Sequence, residues 1–257
     1  MEPVSGILVS TPSRLRPETL TTVVTIEAPS SWTLGRSVAT GTAWLPLMAS
    51  LLVVLPVFLQ APWVRLQPFG AALFTLPLLF TGLALERHGR GAWKAAGPLL
   101  VGFSGSWLGG CLFWGWCREH PLWHLPIEAF ALPLALGGLR SRWHLAGSFY
   151  LASLLGTACT DAVMALSGVM EHWPAVIAAT PDQAPALLHQ AALAVMQPPS
   201  LMLVAGVGAA LVATCRWGWS RSGAGWRMAS ATLATTLAVD GLFLAAALLA
   251  PKLSGLI

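Results

Sequence analysis

The sequence predicts an all-α polytopic membrane protein, a bundle of about seven transmembrane helices with its N-terminus in the cytoplasm. Three observations lead there. First, 56% of residues are apolar and only 9% are charged, where soluble domains carry about 25% charge. Apolar surface in that excess belongs in lipid rather than water. Second, the apolar residues gather in seven runs, roughly 43–60, 66–85, 97–116, 122–139, 145–169, 200–215 and 226–250. A helix rises about 1.5 Å per residue, so about 20 residues cross the hydrocarbon layer. Third, seven crossings divide the Lys and Arg unevenly. Eleven of the 14 fall on the side of the N-terminus and the loops 86–96, 140–144 and 216–225, leaving Arg65, Arg118 and Lys252 on the other. Cytoplasmic loops hold the excess of basic residues, which sets the orientation.

Residues 1–40 are rich in Ser, Thr and Pro, and their longest apolar stretch, Val23 to Ile26, is too short for a signal sequence. They read as a disordered cytoplasmic tail, with residues 41–257 forming the membrane domain. Met48 offers an alternative initiation point inside the first apolar run. Pro46 and Pro56 in the first run, and Pro126 and Pro133 in the fourth, predict kinks. In the third run Gly102, Ser106 and Gly110 share a helix face, and Gly105 pairs with Gly109. Small residues allow helix backbones to approach closely, which places this run at the centre of the bundle. The run at 200–215 is short and draws on the turns before it. The connection 170–199 is the longest, holds five prolines and no Lys or Arg, and lies on the outer face. Its stretch Pro185 to Met196 has the composition of an interfacial helix. Eleven of the 13 Trp fall near run ends, where indole finds partners at the membrane interface, while Trp107 falls mid-run.

Composition also excludes functions. Basic residues sit singly in short loops and one Tyr accompanies the many Trp, so no nucleic-acid surface is present. Neither a phosphate-binding Gly loop nor H-E-x-x-H nor G-x-S-x-G occurs. Cys111, Cys117, Cys159 and Cys215 show no C-x-x-C and read as small buried hydrophobes, with Cys117 the one best placed for a disulfide or metal.

The organising stretch is the hairpin 111–139, CLFWGWCREHPLWHLPIEAFALPLALGGL. Three acidic residues, Glu128, Asp161 and Asp240, lie inside apolar runs, and no basic residue lies at comparable depth. A carboxylate in hydrocarbon must face water or protein, find a partner, or hold a proton. All three fall in the outer half of their runs. His120, His124 and Glu128 are spaced i, i+4, i+8, which puts them on one face of a continuous helix, although Pro121 interrupts it. With Asp161 nearby, that set has the residue types of a metal site. It equally suits proton handling by Glu128 and His124, or simple anchoring of His124 at the interface. Asp161 ends the sequence GTACTD, with Thr157 one turn earlier and Thr160 beside it, where Thr hydroxyls can bond backbone carbonyls. No side-chain pattern names a cofactor.

The stretches VFLQAPWVR (57–65), HLPIEAFALPLAL (124–136) and FYLASLLGTACTD (149–161) resemble an uncharacterised family of cyanobacterial membrane proteins, a domain of unknown function, over about residues 43–250. The resemblance implies a thylakoid or plasma membrane and carries no activity. LPIEAF is also similar, more weakly, to the P-x-E-E motif of heterodimer-type lycopene cyclases, whose membrane acids protonate a polyene. Pro126 and Glu128 match, but Ala129 stands where the second Glu belongs, and no second copy of the motif is present.

Three functions are expected from these readings. The first is an accessory or assembly factor of a photosynthetic pigment–protein complex, with His120, His124 or His144 available as pigment ligands. The second is a proton-coupled carrier of a small solute, using Glu128, Asp161 and Asp240. No internal repeat is visible to support it. The third is an isoprenoid- or lipid-modifying enzyme with Glu128 as general acid.

Overall fold

The computed structural model describes residues 43–251. The expected tail at 1–40 lies outside them. The described chain is helical throughout and contains no strand. Six helices are long and apolar enough to cross a membrane. In chain order we name α1 (Leu45–Leu66), α2 (Pro68–His88), α3 (Ala92–Cys117), α4 (His124–Glu128), α5 (Leu132–Gly138), α6 (His144–Leu166), α7 (Trp173–Ala178), α8 (Ala184–Val195), α9 (Pro198–Ser220) and α10 (Ala224–Leu249). The six long members are α1, α2, α3, α6, α9 and α10. Every one of them meets lipid with large side chains: Leu47, Phe80, Leu112, Leu155, Met202 and Leu242 are all exposed. The protein is an integral membrane protein.

The fourth expected span, 122–139, is not a single helix, which corrects the count of seven continuous helices. It runs as a 3₁₀ turn Pro121–Trp123, the five-residue α4, a second 3₁₀ turn Ala129–Ala131, and the seven-residue α5. Proline explains the break. A ring at Pro133 removes an N–H and clashes with the carbonyl four residues back, at a cost of about 3 kcal/mol in a continuous helix. The segment nevertheless traverses the bundle antiparallel to both neighbours. Along it, Glu128 meets Gly109 of α3, then Ala131 meets Tyr150 of α6, and Ala135 meets Gly147.

Helix directions alternate along the chain. Residues 50 and 58 of α1 meet residues 235 and 243 of α10, and Gly156 of α6 meets Thr236, so these three run the same way. Gly102 of α3 packs on Ala146 of α6 in the same sense. In α2, Gly82 meets Gly97 and Val101 of α3, and in α9 Gly218 meets Ser230 of α10, both antiparallel. One end of the bundle therefore gathers Arg87, Arg90, Lys94, Arg140, Arg142, Arg216, Arg221 and Arg227. We call it the basic end. The opposite end holds Arg65 and Arg118 among the described residues. At the basic end, Arg142 Nη1 lies 3.4 Å from Glu86 Oε1, and the Arg221 guanidinium sits 4.4 Å from the centre of the Trp217 ring.

Helix α3 is the central member, with 67% of its most apolar window buried against 6% for α9. Its small residues account for this. An alanine Cβ at Gly97 would lie 2.5 Å from Glu86 N and 2.7 Å from Gly82 O, so α2 and α3 touch backbone to backbone. The mid-run Trp107 is fully buried, donates its indole N–H to Ala71 O at 2.8 Å, and meets Trp63, Phe74 and Phe103 edge-on or tilted. The connection 170–199 folds as a 3₁₀ turn (Val169–His172), α7 and α8. Helix α8 is tied to α10 through His189 Nδ1, 2.8 Å from Ala247 O. All four cysteines are free thiols.

Gly97→Ala should therefore destabilise the protein by about 1–3 kcal/mol. Gly206→Ala, where a Cβ meets nothing within 4 Å, should leave stability unchanged or raise it by about 0.5–1 kcal/mol. Thermal unfolding of the two variants in one detergent checks the contrast.

Candidate functional site

Two local departures from α-helix shape the site. In α1 a π-helical turn, Pro56–Gln60, turns Gln60 inward, where its side chain is buried. Its amide donates to Trp107 O and lies 2.9 Å from Cys111 Sγ. Gly110 makes room for it: a Cβ there would stand 3.0 Å from Gln60 Oε1. In α3 a second π-helical turn, Phe113–Cys117, sets Phe113 and Trp114 against the His124 ring, with centroids 4.2 Å and 6.3 Å away. Such bulges in α-helices concentrate at functional positions.

The one-turn helix α4 then places His124 and Glu128 on one face, as i and i+4. Beyond it the chain leaves α geometry, and Tyr150 repairs the backbone. Its hydroxyl donates to Glu128 O and accepts from Ala131 N at 3.1 Å. One phenol thus serves both a carbonyl and an amide left over by the broken helix, where unpaired backbone groups cost several kcal/mol each in hydrocarbon. Gly109 lets Glu128 come close to α3, since a Cβ there would lie 3.1 Å from Glu128 Cα.

The polar groups form a chain. His124 Nδ1 lies 3.1 Å from Asp161 Oδ1, and His124 Nε2 lies 3.2 Å from Glu128 Oε1. Thr157 Oγ1 donates to Glu128 Oε2 at 3.0 Å. Thr157 and Asp161 are themselves one turn apart on α6, so both face α4. Next to Thr157 and Asp161 on α6, Thr160 Oγ1 is 2.6 Å from Asp240 Oδ2 and 3.1 Å from Gly156 O. Gly156 brings α10 within reach, because a Cβ there would lie 2.8 Å from Thr236. His124, Glu128, Asp161 and Asp240 all line one cavity of about 260 Å³, together with Gln60, Ser106, Ser153, Thr157, Thr160 and Thr236. Its apolar walls come from Leu52, Val57, Phe103, Phe149 and Phe243. The three intramembrane carboxylates, far apart in sequence, therefore share one space.

The donor inventory limits how these contacts can be satisfied. A neutral imidazole has one N–H and one lone pair, yet both His124 nitrogens face carboxylate oxygens. Both contacts are satisfied only when the Asp161–His124–Glu128 group holds an added proton, on the ring or on one carboxyl. Thr160 has one hydroxyl proton and two acceptors in reach. That proton goes to Asp240 Oδ2 or to Gly156 O, one at a time. The His124, Glu128 and Asp161 side chains remain 17–18% exposed.

The family model described as "Protein of unknown function (DUF3120)" matches residues 49–248. The chain belongs to this family. No curated protein and no solved structure matches it. In this DUF3120 protein the site thus has to be read from its own residues.

Of the residues singled out in the sequence, the structure unites Glu128, His124, Asp161 and Asp240 and leaves two histidines apart. His120 is exposed beyond the turn, tilted against Trp123 with centroids 5.9 Å apart. His144 is exposed at the basic end, beside Gly225. The i, i+8 spacing from His120 to Glu128 therefore does not produce a shared face, because Pro121 starts a 3₁₀ turn between them. No three His, Cys, Asp or Glu side chains among the described residues are set to hold one metal ion. The two His124 nitrogens point at different carboxylates on opposite sides of the ring, so the three groups do not converge on a point. Sequence reasoning missed Gln60 and Tyr150. A glutamine and a lone tyrosine inside apolar runs were the available signals.

Tyr150→Phe removes a hydroxyl that serves two backbone groups. It should cost about 1–3 kcal/mol of stability, read as a lower melting temperature in detergent, and faster amide hydrogen exchange at Ala131.

Proposed function

We propose that this protein is a proton-coupled carrier of a small solute. The observation that carries the reading is the meeting of Glu128, Asp161 and Asp240, with His124, in one partly polar cavity inside the membrane region. Acidic residues at such depth mark ion and substrate pathways when they face a cavity. The broken segment 121–138 and the two π-helical turns border the same space. Interrupted helices are how transporters bring polar backbone to a midplane site. The Asp161–His124–Glu128 group holds the transported proton, and the Asp240–Thr160 pair offers a second position. The cavity is large enough for a few waters or a small solute. By the positive-inside rule, the basic end faces the cytoplasm and the carboxylates lie toward the other leaflet.

The accessory role in a cyanobacterial photosynthetic membrane rests on sequence resemblance, and His120 and His144 remain its open ligands. His124 is a poor pigment ligand, because carboxylates occupy both its nitrogens. An enzyme using Glu128 as general acid draws support from Phe103, Phe149 and Phe243 in the cavity wall, which suit a lipophilic substrate. The sharing of protons among four titratable groups is more than a single acid requires, and it favours carriage.

The test is solute-linked proton uptake into liposomes that contain the full chain and an internal pH dye. The solutes are phosphate, glutamate, alanine and glucose, each compared with empty vesicles. At least one should acidify the lumen, and Asp161→Asn should slow that uptake tenfold or more. Uptake equal in Asp161→Asn and wild type, or none with any solute, overturns the proposal.

A further inference from the structure

A second pocket, of about 240 Å³, lies at the end opposite the basic one. Its charged lining is two arginines, Arg65 from the last turn of α1 and Arg118 just past α3, and His172 in the 3₁₀ turn before α7 lies beside them. Its walls are apolar and aromatic, with Trp114, Trp173 and Leu188 prominent. The Trp173 indole N–H donates to Arg118 O at 2.7 Å and holds the turn after α3 against α7. Neither guanidinium pairs with a carboxylate among the described residues, although Glu119, Glu171 and Asp182 belong to the same end. Positive side chains are scarce there, yet both described arginines line this one pocket. The pocket also adjoins the carboxylate cavity, since Ala61 and Trp114 line both.

We infer that this pocket binds a small organic anion through Arg65 and Arg118. The polar end of the ligand is a carboxylate or phosphate, which guanidinium groups grip with parallel hydrogen bonds. The rest is a compact apolar body that packs against the wall formed by Trp114 and Trp173, whose ring centroids lie 5.5 Å apart. The chemistry is shared by a free solute and by the headgroup of an anionic lipid. In the solute case, passage beyond the pocket rests on the proton-carriage reading. An anion meets Glu128, Asp161 and Asp240 next, and like charges repel it unless those carboxyls hold protons or His124 is an imidazolium. Anion and proton then enter together. The binding step itself is independent of that reading.

The experiment is equilibrium binding to the full chain in phosphatidylcholine nanodiscs. Calorimetric titration uses benzoate and inorganic phosphate as probes, and native mass spectrometry scores retention of added phosphatidylglycerol. Wild type should bind at least one probe. Arg118→Gln should weaken that binding tenfold or more, Arg118→Lys should retain part of it, and raised salt should weaken it further. Arg65→Gln, at an exposed position, supplies a second variant if Arg118→Gln lowers the melting temperature. Binding of benzoate or phosphate supports the site with a solute source. Arginine-dependent retention of phosphatidylglycerol alone supports it with a headgroup source. Equal binding of all three probes by wild type and the Arg65→Gln/Arg118→Gln double variant overturns it, as does binding of none of them by wild type. Arginine-dependent benzoate binding alongside an inert Asp161→Asn uptake result would sink proton carriage and leave the anion site standing.

Discussion

Hydrocarbon supplies no hydrogen bonds, so every peptide group that leaves regular helix inside this bundle must find a partner in the protein itself. The segment 121–138 is where that constraint bites. Pro121, Pro126 and Pro133 deny it a continuous helix, and it survives as short pieces because α3 and α6 enclose it. Tyr150 carries the repair at the break, giving its proton to Glu128 O and receiving one from Ala131 N. The pairing of those two backbone groups by one side chain fixes where α4 sits. The position of α4 in turn fixes where His124 and Glu128 point.

The carboxylate cluster arises from the same geometry. A continuous helix over 120–138 would present His120, His124 and Glu128 as one stripe. The broken segment presents a single turn, with His124 between Glu128 and Asp161. Threonines fill the remaining acceptor sites: Thr157 on Glu128 and Thr160 on Asp240. Charges so placed are costly to strand, because removing one partner leaves another unpaired in a low-dielectric setting. The neighbouring arginine pocket gives the same end of the bundle an opposite charge character, and the two spaces meet at Trp114 and Ala61.

Much of this was legible in the sequence. Runs of apolar residues gave the helices, and the Gly102 and Gly105 faces gave the central position of the third one. The acids at 128, 161 and 240 stood out because a charge inside an apolar run always needs an explanation. The fourth run misled on its form. Hydropathy counts residues and is blind to whether prolines fall where a neighbour can rescue the backbone. Gln60 passed unnoticed because its inward turn depends on a π-helical insertion, which has no reliable residue signature.

The sequence by itself determined that this chain is a bundle of apolar helices suited to lipid, where its long helices fall, and which side chains are too polar for their surroundings. Those properties are sums over local composition, and composition is written in the chain. Only the tertiary structure decided that Glu128, Asp161 and Asp240 share a cavity, that His124 joins the group while His120 and His144 stand outside it, and that Arg65 and Arg118 line one pocket. The physical reason is rotational. Each helix can spin about its axis without altering its hydropathy, and its angle is set by close contacts such as Gly109 on Glu128 and Gly156 on Thr236, which belong to pairs of helices and to no single stretch of sequence.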